Sequence, residues 1–163
     1  MKKSYRTLEF SFIQDYIKNY CFSEMAKKRI DQIQPFQDID DLKLYQDDIS
    51  SAMKIIYAYG RIPLAPYEDI KEILQKAQKG GVCYPQDLLK IVQILKNVQE
   101  VQAYLDQEIE QSHLLEILSL LYLPKDLYNE ILKCVDPSGN IYDHASHELY
   151  RLRRQISAFE ANM

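Results

Sequence analysis

The chain has 163 residues, of which four are glycine, six proline, thirteen tyrosine and none tryptophan. Average usage would give about eleven glycines in this length, and the four present (Gly60, Gly80, Gly81 and Gly139) lie too far apart for a G-x-x-x-x-G-K or G-x-G-x-x-G pattern. A P-loop, a Rossmann fingerprint and most many-stranded sheets are therefore excluded, while 47% hydrophobic content fills one domain's core. Twenty Lys and Arg against twenty-four Asp and Glu give a net charge of −4, which disfavours a free-standing nucleic-acid binder.

The dominant pattern is helical. Thr7 is placed to cap a first helix carrying Leu8, Phe12, Ile13, Tyr16, Ile17 and Tyr20. Ser23 caps a second, with Ala26, Ile30 and Ile33 on one face, which ends before Pro35. Asp38 opens a long third helix whose apolar positions Leu42, Tyr45, Ile49, Ala52, Ile56 and Tyr59 recur every three or four residues. Gly60 is placed to end it. Pro63 and Pro66 make Arg61 to Tyr67 an extended connector, and a short helix follows from about Tyr67 to Gln78.

Pro85 occupies the first position of the next helix. That helix runs from about Gln86 to Glu110 on Leu88, Ile91, Leu95, Val98, Gln102, Leu105 and Ile109, with Gln102 its polar interruption. Ser112 and Pro124 bracket two shorter helices, Leu114–Leu123 and about Lys125–Val135. Residues 136–143 are rich in turn formers, with Ile141 and Tyr142 available for a short extended piece. Ser146 then caps a last helix with Glu148 in its first turn and Leu149, Leu152, Ile156 and Phe159 on its apolar face. Its periodicity is still running at Met163, which is expected either of a fraying natural terminus or of a helix interrupted in the middle. The fold class expected is all-α: one helical domain over 1–163, about eight helices, and one turn-rich segment near 136–145.

Charge is unevenly placed. Residues 1–30 carry seven basic and three acidic groups, for +4; residues 31–60 carry two basic and six acidic, for −4. The acidic set Asp31, Asp38, Asp40, Asp41, Asp47 and Asp48 reads as a solvated helix start. Cys21, Cys83 and Cys134 are odd in number and widely spaced, so they read as small core residues and not as a disulfide or zinc framework. The N-terminus lacks the apolar stretch of a signal peptide and the longest apolar segment, Ile117 to Leu123, cannot cross a bilayer, so a cytoplasmic location is expected.

Few constellations suggest chemistry. Asp143, His144, His147 and Glu148 are the best candidate for a metal site, but a cap at Ser146 puts His144 outside the helix and breaks the spacing. Asp136, Ser138 and Asn140 alternate as in a calcium loop, yet its glycine and glutamate positions hold Ile141 and His147. No nucleophile elbow is present, and no catalytic, cofactor-binding or metal residue is assigned. Arg151, Arg153 and Arg154 are the strongest basic cluster. They read either as a solvated face near a helix C-terminus or as a phosphate contact, with Arg151 and Arg154 on one side. Lys2, Lys3 and Arg6 with Lys27, Lys28 and Arg29 form a second such patch.

Three stretches together resemble one family. They are Leu8-Glu9-Phe10; Ala77-x-Lys79-Gly80-Gly81-Val82; and Asp136-x-x-Gly139-x-Ile141-x-Asp143-x-Ala145-Ser146-x-Glu148-Leu149-x-x-Leu152-Arg153-Arg154. Across essentially the whole chain they resemble the N-terminal region of the bacterial MutS-II proteins, MutS paralogues also called endonucleases or DNA mismatch repair proteins. The third stretch is the most specific, and Asp136, Gly139, Asp143, Ser146, Glu148, Leu149 and Arg153 are its structural residues. Ser138 and Asn140 stand where acidic residues are common in the family, and His147 where proline is frequent.

The resemblance implies a helical core and the start of a lever, from a longer protein whose clamp, ABC-type ATPase and Smr nuclease domains lie outside this chain. It implies no ATPase or nuclease residue here, with ATP and Mg expected only in the absent ATPase domain. It further implies the family's roles in suppressing recombination, binding branched DNA and rescuing collided ribosomes, and as partners the rest of the polypeptide, DNA or the ribosome, and a second copy. The alternative is a stand-alone helical interaction or dimerisation module, whose 3-4 repeats would be partner seams.

Overall fold

The computed structural model describes residues 9–105 and 112–161. The described residues form an all-α array: eight α-helices and one 3₁₀ turn, with two isolated β-bridges in place of any sheet. The helices are α1 (Phe10–Lys18), α2 (Glu24–Asp31), α3 (Ile39–Tyr59), α4 (Lys71–Gln78), α5 (Pro85–Leu105), α6 (His113–Ser119), α7 (Lys125–Cys134) and α8 (His147–Glu160). Thr7, Leu8, Ile109 and Met163 lie outside the described residues.

Contacts divide the chain into two compact units: residues 1–69 with 97–121, and residues 70–96 with 122–163. Helix α5 contributes its first half to the second unit and its second half to the first.

In the first unit, α1 packs on α2. Gln14 donates to the Ile30 carbonyl at 2.8 Å, and Lys18 pairs with Asp31. Ser23 caps α2 by accepting from Ala26 N–H at 3.1 Å, and Asp38 caps α3 by accepting from Asp40 N–H at 2.7 Å. The connector 61–67 runs extended: Tyr67 N–H donates to the Phe22 carbonyl at 3.4 Å beside a parallel Ser23–Tyr67 bridge, and the Arg61 guanidinium lies 4.8 Å from the Phe22 ring centroid. That pairing holds Tyr67 in extended backbone, so α4 starts at Lys71 and not near Tyr67. Helix α6, capped by Ser112, stops at Ser119. The N–H groups of Leu120 and Leu121 bond only three residues back, and the Leu121 carbonyl accepts from the Gln102 side chain at 2.8 Å, which ends the helix short of Leu123.

The core of this unit lies on Ile55, Val101 and Tyr104, with Ser23 and Asn97 the buried polar residues. The face expected to bury α3 is turned outward: Tyr45, Ile49 and Ile56 are 52%, 59% and 46% exposed. Leu42 and Ala52 are half-buried, and the residue that α3 seats is Ile55, 5% exposed. The inward stripe of α3 runs through the half-buried Asp48 and Ala52 to the buried Ile55, and on that side Asp48 accepts from His113 of α6 at 3.0 Å.

In the second unit the core is Leu95, Leu123, Ile131 and Val135. Helix α4 closes in a Schellman motif: Gly81 N–H bonds the Lys76 carbonyl and Gly80 N–H the Ala77 carbonyl, both at 2.9 Å. This accounts physically for the middle stretch Ala77 to Val82. Pro85 does open α5, and Asp87, three residues after Tyr84, accepts from Tyr84 N–H at 3.0 Å. Helix α7 ends at Cys134, since Val135 leaves it to form an antiparallel bridge with Ile141.

Candidate functional site

The stretch from Val135 to Arg154 concentrates the residues that the sequence singled out, all within the second unit. It begins as a miniature hairpin. Asp136 N–H donates to the Asn140 carbonyl at 2.8 Å, Tyr142 N–H donates to the Cys134 carbonyl at 2.9 Å, and Gly139 N–H returns to the Asp136 carbonyl at 3.0 Å. The Asp136 carboxylate fills the loop from inside. It accepts from the backbone N–H of Ser138 at 2.8 Å and of Asn140 at 2.9 Å, and from the Asn140 side-chain amide at 3.1 Å. These bonds, those from Asn140 above all, hold its carboxyl below the usual carboxylate range. Of the alternating residues 136, 138 and 140, only Asp136 thus offers its side-chain oxygens to these bonds, as the acceptor of an Asx-type turn.

Gly139 has φ +84°, and a Cβ built there would come within 3.0 Å of Gln86 Nε2. The left-handed backbone therefore calls for glycine at this position, while the flexible Gln86 amide would have to give by only a few tenths of an ångström.

After the hairpin, Asp143–Ala145 form a single 3₁₀ turn, with Ala145 N–H on the Tyr142 carbonyl at 3.1 Å. His144 stacks on Tyr142 at 4.9 Å between centroids, and His147 is the first residue of α8. Asp143 and His144 therefore sit on a 3₁₀ turn, and His147 and Glu148 on the start of α8. Among the described residues no three His, Cys, Asp or Glu converge as a group that could hold a metal ion. Ser146 caps α8 by accepting from Leu149 N–H at 3.0 Å, and Glu148 stands in the first turn, where negative charge meets the positive helix end. Leu149 is half-buried.

The three arginines part company. Arg153 turns back toward the hairpin, where its Nη1 donates to the Ile141 carbonyl at 2.9 Å and to the Asp143 carboxylate. Arg154 lies 5.6 Å from the Tyr150 ring centroid, and Arg151 is exposed. Helical geometry puts Arg151 and Arg154 on a common side and Arg153 on another. In the second patch, Lys27 pairs with Glu24 at 2.7 Å, while Lys2, Lys3 and Arg6 lie outside the described residues.

The third sequence stretch is thus a structural relay: a carboxylate-filled turn, a glycine, a 3₁₀ step, a capping serine, and an arginine closing back on the turn. Comparison with known proteins finds one group of relatives over nearly the whole chain. The chain is 31% identical over 158 residues to the protein called Endonuclease MutS2 of Clostridium botulinum strain Alaska E43, covering 95% of this chain and 20% of that protein. The protein of the same name from Halothermothrix orenii is 30% identical over 171 residues, covering 99% of this chain and 22% of that protein. The one from Halalkalibacterium halodurans is 28% identical over 168 residues, covering all of this chain and 21% of its own length.

This chain is related to the Endonuclease MutS2 proteins. It spans about a fifth of the length of these relatives, which is consistent with an N-terminal region of such a protein. No family model matches the chain. No helix among the described residues is long and apolar enough to cross a membrane.

The residues that sequence reasoning missed are those whose partners lie far along the chain. Asn97 bonds Ala65, Tyr104 bonds Gly60, and His113 bonds Asp48. No local spacing announces such pairs. Gln102 was the one with a visible signal, a polar residue inside an apolar repeat, and the Leu121 carbonyl is the partner that explains it.

Proposed function

We propose that this chain is an architectural helical module of a MutS-type, ATP-dependent DNA-binding protein and is itself non-catalytic. The observation that carries the reading is the near-complete coverage of this chain by about a fifth of the MutS2 relatives. The geometry supports it, because four polar residues of the distinctive stretch, Asp136, Asp143, Ser146 and Arg153, bond within the stretch itself. Asp136 binds its own loop, Asp143 binds Arg153, and Ser146 caps α8.

In this reading the two 21-residue helices α3 and α5 act as stiff arms that pass nucleotide-dependent motion from an ATPase domain to a DNA clamp elsewhere in the polypeptide. ATP and Mg would bind in that ATPase domain, outside this chain. The target would be branched DNA or a collided ribosome, with suppression of recombination or ribosome rescue as the outcome, in the cytoplasm. The test is to assay the chain alone for ATP hydrolysis and DNA cleavage: neither should occur, and either one would end the proposal.

A second reading, a helical interaction or dimerisation module, is favoured by one observation. The stripe Tyr45, Ile49 and Ile56 on α3 is exposed, as are Leu152, Ile156 and Phe159 on α8. Sedimentation equilibrium separates the two. Self-association that is abolished by Ile49→Glu would favour this second reading, and a monomer would leave the first.

A further inference from the structure

We propose that the contact between Arg153, Asp143 and Ile141 is the joint that sets the direction in which α8 leaves the hairpin, and that it opens when the charge on Asp143 is removed. The inference does not depend on the proposed function, since it concerns only how one helix is held within the second unit.

Helix α8 has little else to aim it. From Arg151 to Ala161 every residue is exposed, and within α8 only Leu149 is half-buried. A helix that buries so little apolar surface receives almost no orientation from packing. The Ser146 cap marks where α8 begins, but Ser146 is extended (φ −150°, ψ 150°), and a single residue between the 3₁₀ turn and the helix leaves the exit angle to its own two torsions. The bond that would close that freedom spans it. Arg153 lies in the second turn of α8, whereas Ile141 ends the hairpin and Asp143 begins the 3₁₀ turn. One guanidinium thus touches two different residues on the far side of the pivot, and two separated points fix an angle where one would allow a swing. Both bonds leave the same nitrogen, Nη1, so one end of the planar guanidinium is tied to both acceptors at once.

The clasp is also open to solvent: the side chains of Arg153 and Asp143 are 43% and 64% exposed. An exposed ion pair is held weakly and screened by salt, which makes this a joint able to release rather than a permanent weld. Its foundation is firmer. The hairpin is closed by the Val135–Ile141 bridge and filled by Asp136, with Val135 buried in the unit's core.

The experiment is to measure backbone residual dipolar couplings on the 163-residue chain, comparing α7, which adjoins the hairpin, with α8. In the wild type the couplings of α7 and α8 should fit one common alignment. In Asp143→Asn and in Arg153→Ala the shared fit should be lost, α8 showing reduced order while circular dichroism shows unchanged helix content. Arg153→Lys, which keeps a cation but not the planar guanidinium, should recover part of the shared alignment, and Arg151→Ala should leave it intact. Should Arg153→Ala lower the helix content, the near-isosteric Asp143→Asn decides. A common alignment that survives Asp143→Asn, or its absence from the wild type, would overturn the proposal.

Discussion

Asn97 holds Ala65 at both ends of its peptide: Oδ1 accepts from Ala65 N–H at 3.1 Å, and Nδ2 donates to the Ala65 carbonyl at 2.9 Å. A buried side-chain amide on α5 thereby supplies Ala65 with the pairing that the Ser23–Tyr67 bridge supplies at the end of the connector. Pro63 and Pro66 flank this residue and have no N–H to offer a ladder of their own. Asn97→Ala leaves both backbone groups unpaired, which costs about 1–3 kcal/mol for each group that stays buried. Chemical denaturation should show that loss, and the Ala65 amide should lose its protection from hydrogen exchange. Asn97→Asp keeps the acceptor and loses the donor, so it should protect the Ala65 amide while still destabilising.

Gly60 ends α3 with φ +83° and ψ −171°, a region that is essentially glycine's alone. A Cβ there would meet nothing within 4 Å, so substitution tests the backbone and not the packing. Gly60→Ala should lower stability by about 1–3 kcal/mol, read as a drop in the urea midpoint at constant slope. A neutral substitution would show that the turn relaxes freely.

Tyr104 reaches the same turn from α5, donating to the Gly60 carbonyl at 2.8 Å. Burial pushes its hydroxyl above the usual tyrosine range. Its folded value being raised, the stability it contributes is fully present below the ordinary tyrosine pKa and is lost as pH rises toward and through the folded value. Tyr104→Phe should cost about 1 kcal/mol at neutral pH and make the alkaline unfolding limb shallower, as measured by denaturation between neutral and strongly alkaline pH.

The Asp136 carboxyl works in the opposite direction. Its folded value is depressed by the Asn140 and Ser138 bonds, so the stability it contributes is present above the ordinary carboxylate pKa and lost as pH falls through the depressed folded value. In an NMR titration its carboxyl should have a midpoint below the usual aspartate value of about 4. The Ser138 and Asn140 amides should shift with the same midpoint. Asp136→Asn should remove that acid-side step.

If the basic cluster meets phosphate, its members should not be equivalent. A phosphate has to displace Asp143 and the Ile141 carbonyl to engage Arg153, whereas Arg151 and Arg154 lie on another side of α8. Binding to duplex DNA should be nonspecific and fall steeply with salt, and Arg154→Ala should weaken it more than Arg153→Ala, by about one unit of salt slope. Binding that is indifferent to salt would contradict a phosphate role.

Local chemistry made much of this layout legible. Ser23, Asp38, Ser112 and Ser146 cap the helices that their positions announce, and Pro85 starts α5. Gly60 and Gly139 take positive φ where a helix end and a turn are expected. What failed was the choice of face. Helix α3 has apolar residues on more than one side, and periodicity marks a stripe without saying which stripe finds a partner, so Ile55 and not Tyr45 or Ile49 is buried. Likewise Arg153 was visible as a cation, but Asp143, ten residues away, becomes its neighbour only because a 3₁₀ turn and a cap fold the chain back between them.

In the proposed function, this chain shapes and transmits motion and does not itself react. The most direct measurement is ATP hydrolysis and DNA cleavage by the purified 163-residue chain, with Mg and branched or duplex DNA supplied. Neither activity should rise above the no-protein background; saturable turnover of ATP or cutting of DNA by the chain alone would overturn the proposed function.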